Sequence, residues 1–185
     1  MGGRTATGSL LDERAAIEQF LARQDEITFS DLFRIISPRV FSYLRLHGCE
    51  RGVAEDLTQE VMLAVYTQCR TLRDHELFRP WLFRIARNCW LQHVRRSSRQ
   101  VSTSDIESTS EHLCSTNEDP LRKLAMAEWL RWLHAEDREL VLLRFVQGLE
   151  YHEIAEVLGT PTGTVQWRLF NIKKRLAQRF GLQPV

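Results

Sequence analysis

The sequence predicts an all-α protein: two small helical domains joined by a flexible linker. Three observations lead there. Apolar residues recur at three- and four-residue spacing along most of the chain and nowhere alternate as a strand would. That rhythm stops over residues 100–119, QVSTSDIESTSEHLCSTNED, where serine, threonine and acids displace large apolar side chains. It then resumes and ends in a short helix, a glycine turn and a basic helix, the helix-turn-helix pattern.

Taken in order, residues 1–25 form an N-terminal extension: a small, polar start, then Leu11, Ile17, Phe20 and Leu21 on a short amphipathic helix. From Ile27 the apolar positions Phe29, Leu32, Phe33, Ile36, Val40, Phe41, Leu44 and Leu46 follow helical spacing, and Pro38 should kink or divide that helix. Gly48 ends it. The next helix, from Arg51, is expected to turn Val53, Leu57, Val61, Leu63, Ala64 and Tyr66 inward and Glu55, Asp56, Gln59 and Glu60 outward. A loop, residues 71–80, leads to Pro80, suited to the first turn of a helix. That helix, WLFRIARNCWLQHVRRSSR, sets Leu82, Ile85, Ala86 and Cys89 against a stripe of Arg84, Arg87, Asn88, Arg95 and Arg99, with Trp81 and Trp90 at the margins. Bases interleaved with aromatics suit unpaired nucleic acid, where cations track phosphate and rings stack on bases. Two core tryptophans beside a solvated arginine stripe fit the pattern equally well.

The second domain, residues 120–185, opens at Pro120. Leu121, Leu124, Ala125, Trp129, Leu130, Trp132 and Leu133 make its first helix. Residues 138–147 make a buried one, with Leu140, Leu143 and Val146 at helical spacing and Val141, Leu142 and Phe145 beside them. Gly148 stops it. A short helix over 151–158 ends at Gly159; Thr160 is placed as N-cap and Pro161 at the first helical position of the last helix. Over 161–180 that helix packs with Val165, Leu169, Ile172 and Leu176, and shows Arg168, Lys173, Lys174, Arg175 and Arg179 with no acid. Turn geometry and one-sided charge together point to DNA.

Composition bounds the function. With 25 basic and 24 acidic residues the net charge is +1, so affinity for nucleic acid must rest on local segregation of charge. No apolar run is long enough to span a bilayer and no signal peptide is visible, which predicts a cytoplasmic protein without membrane insertion. Cys49, Cys69, Cys89 and Cys114 form no CxxC pair, so neither a metal nor another cofactor is expected. A sensor built from His47 with Cys49, or His112 with Cys114, is the lesser alternative. No phosphate-binding glycine loop or nucleophile motif is present, and no enzyme is expected. A conventional helix-turn-helix repressor would want an apolar dimer face, where this chain has an arginine stripe.

Two separated motifs coincide in order: EDLTQEVMLAVY with FRPWLFRIARN, and, after the linker, HAEDRELVLLRFVQGLEYHEIAEVLGTPTGTVQWRLFNIKKRL. Together they closely resemble the extracytoplasmic-function sigma factors, bacterial specificity subunits that keep regions two and four. The resemblance implies region two over residues 26–99 and region four over 120–185. It implies that Asp56, Gln59 and Glu60 dock on the clamp helices of core RNA polymerase, with region four near its flap. It implies that Arg73, Phe78, Trp81, Arg84, Arg87, Asn88 and Arg95 hold the promoter −10 element. Asn88 would contact an extruded base and the loop 72–78 would wall its pocket. Thr164, Gln166, Trp167, Arg168 and Asn171 would read the −35 element, arginine forking onto guanine and amides pairing with adenine. Lys173, Lys174 and Arg175 would hold phosphates. The family often shows GTVRSR where this chain has Gly163-Thr164-Val165-Gln166-Trp167-Arg168, so no −35 consensus follows. An anti-sigma factor is the further partner the resemblance implies.

Overall fold

Four helices build the N-terminal half: α1 (Ala6–Arg23), α2 (Glu26–Leu46), α3 (Arg51–Gln68) and α4 (Phe78–Gln100). The structure, a computed structural model, describes residues 6–72, 74–100 and 128–180. Regular structure among the described residues is entirely helical, as the periodicity requires. The expected linker beyond Gln100 lies outside the described residues.

Asp25 starts α2 as N-cap, its carboxylate accepting from the Thr28 amide at 2.9 Å. The helix then passes through Pro38 undivided, against expectation. Pro38 faces solvent, and Ile36 before it and Val40, Tyr43 and Leu44 after it stay on one buried face. Packing on both sides outweighs the one hydrogen bond that proline removes. In α3 the buried face is Ala54, Leu57, Val61, Met62 and Val65. Leu63 and Tyr66, expected inward, are 64% and 43% exposed. Leu63 stands two turns after Asp56 and therefore shares its outward face.

The N-terminal extension is built into this bundle. Ala16, Ile17 and Phe20 are buried, and the Phe20 ring lies 5.5 Å from Phe29 of α2. Glu13 is also buried; its carboxylate pairs with Arg39 of α2 at 2.8 Å and Arg79 of α4 at 3.5 Å.

The C-terminal half contains a helical stretch over 128–131, α5 (Ala135–Val141), a π-type turn over Leu142–Val146, α6 (Tyr151–Leu158) and α7 (Thr162–Phe180). The single helix expected over 138–147 begins earlier and changes winding at Leu142, where the Gln147 amide reaches five residues back to the Leu142 carbonyl at 2.9 Å. Leu140 to Leu143 are buried in this run, whereas Phe145, expected in the core, comes out at the surface. Gly148 and Gly159 hold φ of +70° and +65°, a region open to glycine at little cost. The Val165 amide bonds to the Pro161 carbonyl at 3.3 Å, so the cap of α7 falls on Pro161, one residue after the expected Thr160.

The halves pack together, α6 against α4. At the joint, Glu139 of α5 is 4% exposed. Its carboxylate accepts from the Tyr43 hydroxyl at 3.1 Å and from Arg87 Nε at 2.8 Å. The Arg79 guanidinium donates to the Gln147 carbonyl. Burial pushes the Glu139 carboxyl up, against the pull of Arg87 and Tyr43; burial first, then Glu139, holds the Tyr43 phenol well above its usual range. A charge this deep is tolerated because both donors are present. His47 completes the joint, its ring 4.5 Å from Tyr43 and 4.2 Å from Trp90. Burial, then Arg138 and Arg87, lowers it from 6.5 to about 3.

A depressed histidine contributes stability that is present above 6.5 and is lost as pH falls toward 3. Melting temperature should therefore drop between pH 7 and pH 5. His47→Phe, which keeps a ring and cannot charge, should flatten that dependence in circular dichroism melts; an unchanged slope would clear His47 of the role.

Candidate nucleic-acid interface

On α3, Asp56, Gln59 and Glu60 are all exposed, and their spacing of three and four residues puts them on one face. Exposed Leu63 extends that face, and the Tyr66 ring sits beside it, 4.8 Å from Phe29. Leu63 was missed as a surface residue, although its place two turns after Asp56 was readable. The result is a stripe of acids and an amide that ends in apolar surface.

The turns before α4 tie down the second surface. Asp74 accepts from the Glu76 amide at 2.9 Å, starting a single 3₁₀ turn over His75–Leu77. Arg73 lies outside the described residues. Phe78 and Trp81, expected against DNA, are enclosed in the core with their rings 5.8 Å apart, because they take the inward side of the first turn of α4. Trp90 packs on His47, so the tryptophans of this helix serve the fold. Arg84, Asn88 and Arg95 are exposed along one line of the helix. Arg87 departs from that stripe: it lies toward the C-terminal half, where Glu139 holds it.

On α7, Val165, Leu169 and Ile172 are buried. Thr164, Gln166, Lys173 and Lys174 are exposed, and Trp167 and Phe170 stand on the side opposite the buried stripe. Phe170 was not singled out from sequence, although it falls off the buried stripe of Val165, Leu169, Ile172 and Leu176. Arg168 is not free to project. Its Nη2 donates to Glu136 at 3.1 Å and to Asp137 at 2.9 Å, both in the first turn of α5. Arg175, expected on phosphate, pairs with the other Asp137 oxygen. Burial would raise the Asp137 carboxyl, but hydrogen bonds from Arg175 and Arg168 outweigh it and hold it below the usual carboxylate range. Asn171 is half-buried, its amide nitrogen without a hydrogen-bond partner. The Lys173 ammonium lies 5.4 Å from the Phe145 ring centre.

The Cys49 thiol is buried and pushed up to about 11, so it stays protonated and offers no thiolate to a sensor with His47. His112 and Cys114 lie outside the described residues.

The family model described as Sigma-70 region 2 matches residues 32–100, and that described as Sigma-70, region 4 matches residues 125–176. The chain is 30% identical over 156 residues to the RNA polymerase sigma factor CarQ of Myxococcus xanthus, covering 83% of this chain and 89% of that one. It is 25% identical over 154 residues to the ECF RNA polymerase sigma factor SigM of Bacillus subtilis strain 168, covering 81% and 93%. Among solved structures, the sigma factor RpoE in complex with the anti-sigma factor NepR from Bartonella quintana is similar with a TM-score of 0.70 at 22% identity, over 84% of this chain and 98% of that one. CnrH in complex with the cytosolic domain of CnrY is similar with a TM-score of 0.64 at 21% identity, over 94% and 99%. These two likenesses show the fold.

Asp137 contributes stability above the ordinary carboxylate range that is lost as pH falls through its lowered value. Asp137→Ala also frees Arg175 from its carboxylate and leaves Arg168 with Glu136 alone. Affinity of the chain for arbitrary duplex DNA should rise, and the slope of log K against log salt should steepen by about 1–2. Fluorescence anisotropy across a salt series reads both; a slope like wild type would mean that these arginines reach phosphate without leaving Asp137.

Proposed function

The chain belongs to the extracytoplasmic-function sigma factors of the sigma-70 family, and from that premise we propose how its surfaces divide the work of starting transcription. The protein binds core RNA polymerase and directs promoter recognition, DNA melting and initiation. Asp56, Gln59 and Glu60 dock on the polymerase clamp helices, acids and amide facing basic partner side chains, while region four approaches the flap. Arg84, Asn88 and Arg95 hold the displaced strand of the −10 element, with Asn88 against an extruded base. The exposed face of α7 enters the major groove at the −35 element, and Lys173 and Lys174 hold phosphates. The chain acts in the cytoplasm, catalyses no reaction of its own, and is held in check by an anti-sigma factor.

The observation that carries this reading is that three chemically distinct surfaces are exposed on separate helices: an acid–amide stripe on α3, an Arg–Asn–Arg line on α4 and an acid-free helix at the end of a helix-turn-helix. A polymerase and two stretches of DNA can be held at once without sharing a side chain.

The packed arrangement adds a condition. Arg87, which the sequence places beside the α4 line, is engaged by Glu139. Its use on the −10 strand requires exchanging a carboxylate for a phosphate. Docking on polymerase, with promoter contacts made by both halves, supplies the separation. Tyr43→Phe removes one donor from Glu139 while keeping the ring, so it should loosen the joint and raise the affinity of the isolated chain for single-stranded −10 DNA.

Run-off transcription with core polymerase tests the reading as a whole: the chain should direct a defined start site, and core enzyme alone should not. Glu60→Lys should weaken holoenzyme formation by about tenfold or more, since it sets like charges against each other. Asn88→Ala should slow promoter opening, followed by permanganate reactivity of unpaired thymines, with closed-complex affinity unchanged. Equal loss in both steps would remove the extruded-base role.

A further inference from the structure

Two aromatic side chains stand out on the solvent side of α7. Trp167 is 68% exposed and Phe170 65%. They lie three residues apart, so they are neighbours on one face, opposite Val165, Leu169 and Ile172. Lys174 follows Phe170 by one turn and Trp167 by two, and the helix carries no acid. Rings of this size are uncommon at the centre of an exposed basic helix unless something covers them. Along the base edges of the major groove, the apolar group on offer is the thymine methyl.

We propose that α7 selects its DNA through thymine methyl groups, with Trp167 and Phe170 as the specificity-determining side chains, and that Arg168 is a positioning residue. The inference rests on the assignment of α7 to the −35 element made above, and it replaces the expectation that Arg168 forks onto guanine. To reach guanine, Arg168 would have to give up two carboxylates, Glu136 at 3.1 Å and Asp137 at 2.9 Å. Held where it is, Arg168 fixes α7 to the start of α5. That sets the angle at which the rings enter the groove. Lys173 and Lys174 then supply the phosphate contacts that carry affinity without sequence preference.

The test uses the full chain assembled with core polymerase. Duplexes bound by that holoenzyme are first selected from a random pool, and each thymine of the −35 element is then replaced in turn by deoxyuridine, which removes only the methyl. Affinity should fall about fourfold at each contacted thymine, the factor expected for uncovering one buried carbon. Trp167→Ala and Phe170→Ala should bind the thymine and uridine duplexes alike. Arg168→Ala should keep the thymine preference while weakening all duplexes together. The uridine comparison on the unaltered protein needs no variant, so a misfolded mutant cannot obscure the answer.

Equal affinity for thymine and uridine duplexes overturns the inference. So does loss of a guanine preference on Arg168→Ala. Loss of holoenzyme formation on Trp167→Ala, with the helical circular dichroism of the variant unchanged, would assign the rings to polymerase instead, and overturns it too. A failure of the sigma-factor reading looks different: no start-site-specific transcript appears with any duplex. Initiation that is indifferent to the methyl leaves that reading standing and removes only this one.

Discussion

A single buried carboxylate governs how the two halves of this molecule meet. Glu139 reaches from α5 to the Tyr43 hydroxyl on α2 and the Arg87 guanidinium on α4. An unpaired carboxylate at that depth would be costly, and so would an unpaired arginine. Each half therefore carries a group that is satisfied only by the other. Arg79 adds a second link between the halves, since it pairs with Glu13 in α1 and donates to the Gln147 carbonyl beyond the π-type turn. The joint is polar at its centre, and such joints exchange partners more readily than apolar ones because phosphate or water can replace a carboxylate. A protein whose halves must act on separate stretches of DNA is well served by that property.

The same economy of charge operates within region four. Asp137 sits in the first turn of α5, where a negative charge is favoured, and collects Arg168 and Arg175 from α7. Two of the basic residues on the last helix are thereby committed to holding it in place, while Trp167, Phe170, Lys173 and Lys174 remain exposed. Counting basic residues on a helix overstates what it can present to phosphate when acids on a neighbouring element have first claim.

Much of this was legible in the sequence. Glycines at 148 and 159 marked real turns because their positive φ admits few alternatives. The buried faces of α6 and α7 followed from three- and four-residue spacing, which is a local property. What local pattern could not supply was the partner. Arg87 and Arg168 read as outward bases because the acids that hold them lie 52 and 31 or more residues away. Pro38 read as a break because the buried side chains flanking it come from a tertiary context. Phe145 read as core because the change to wider winding at Leu142 has no signature in composition. Leu63 differs, because its angle on the helix, two turns after Asp56, already places it outward whatever its apolarity suggests.

The start of the folded unit and the start of the recognisable homology are not the same place. The family match begins at residue 32, yet Phe20 fills the space against Phe29, and Glu13 is the counter-ion of two arginines. A fragment excised at the homology boundary would leave Arg39 and Arg79 facing each other with no anion between them. It would also open a hydrophobic trough along α2. Anyone trimming, tagging or transplanting this protein at its front end is therefore editing an internal electrostatic keystone, even though the edit looks like the removal of a leader.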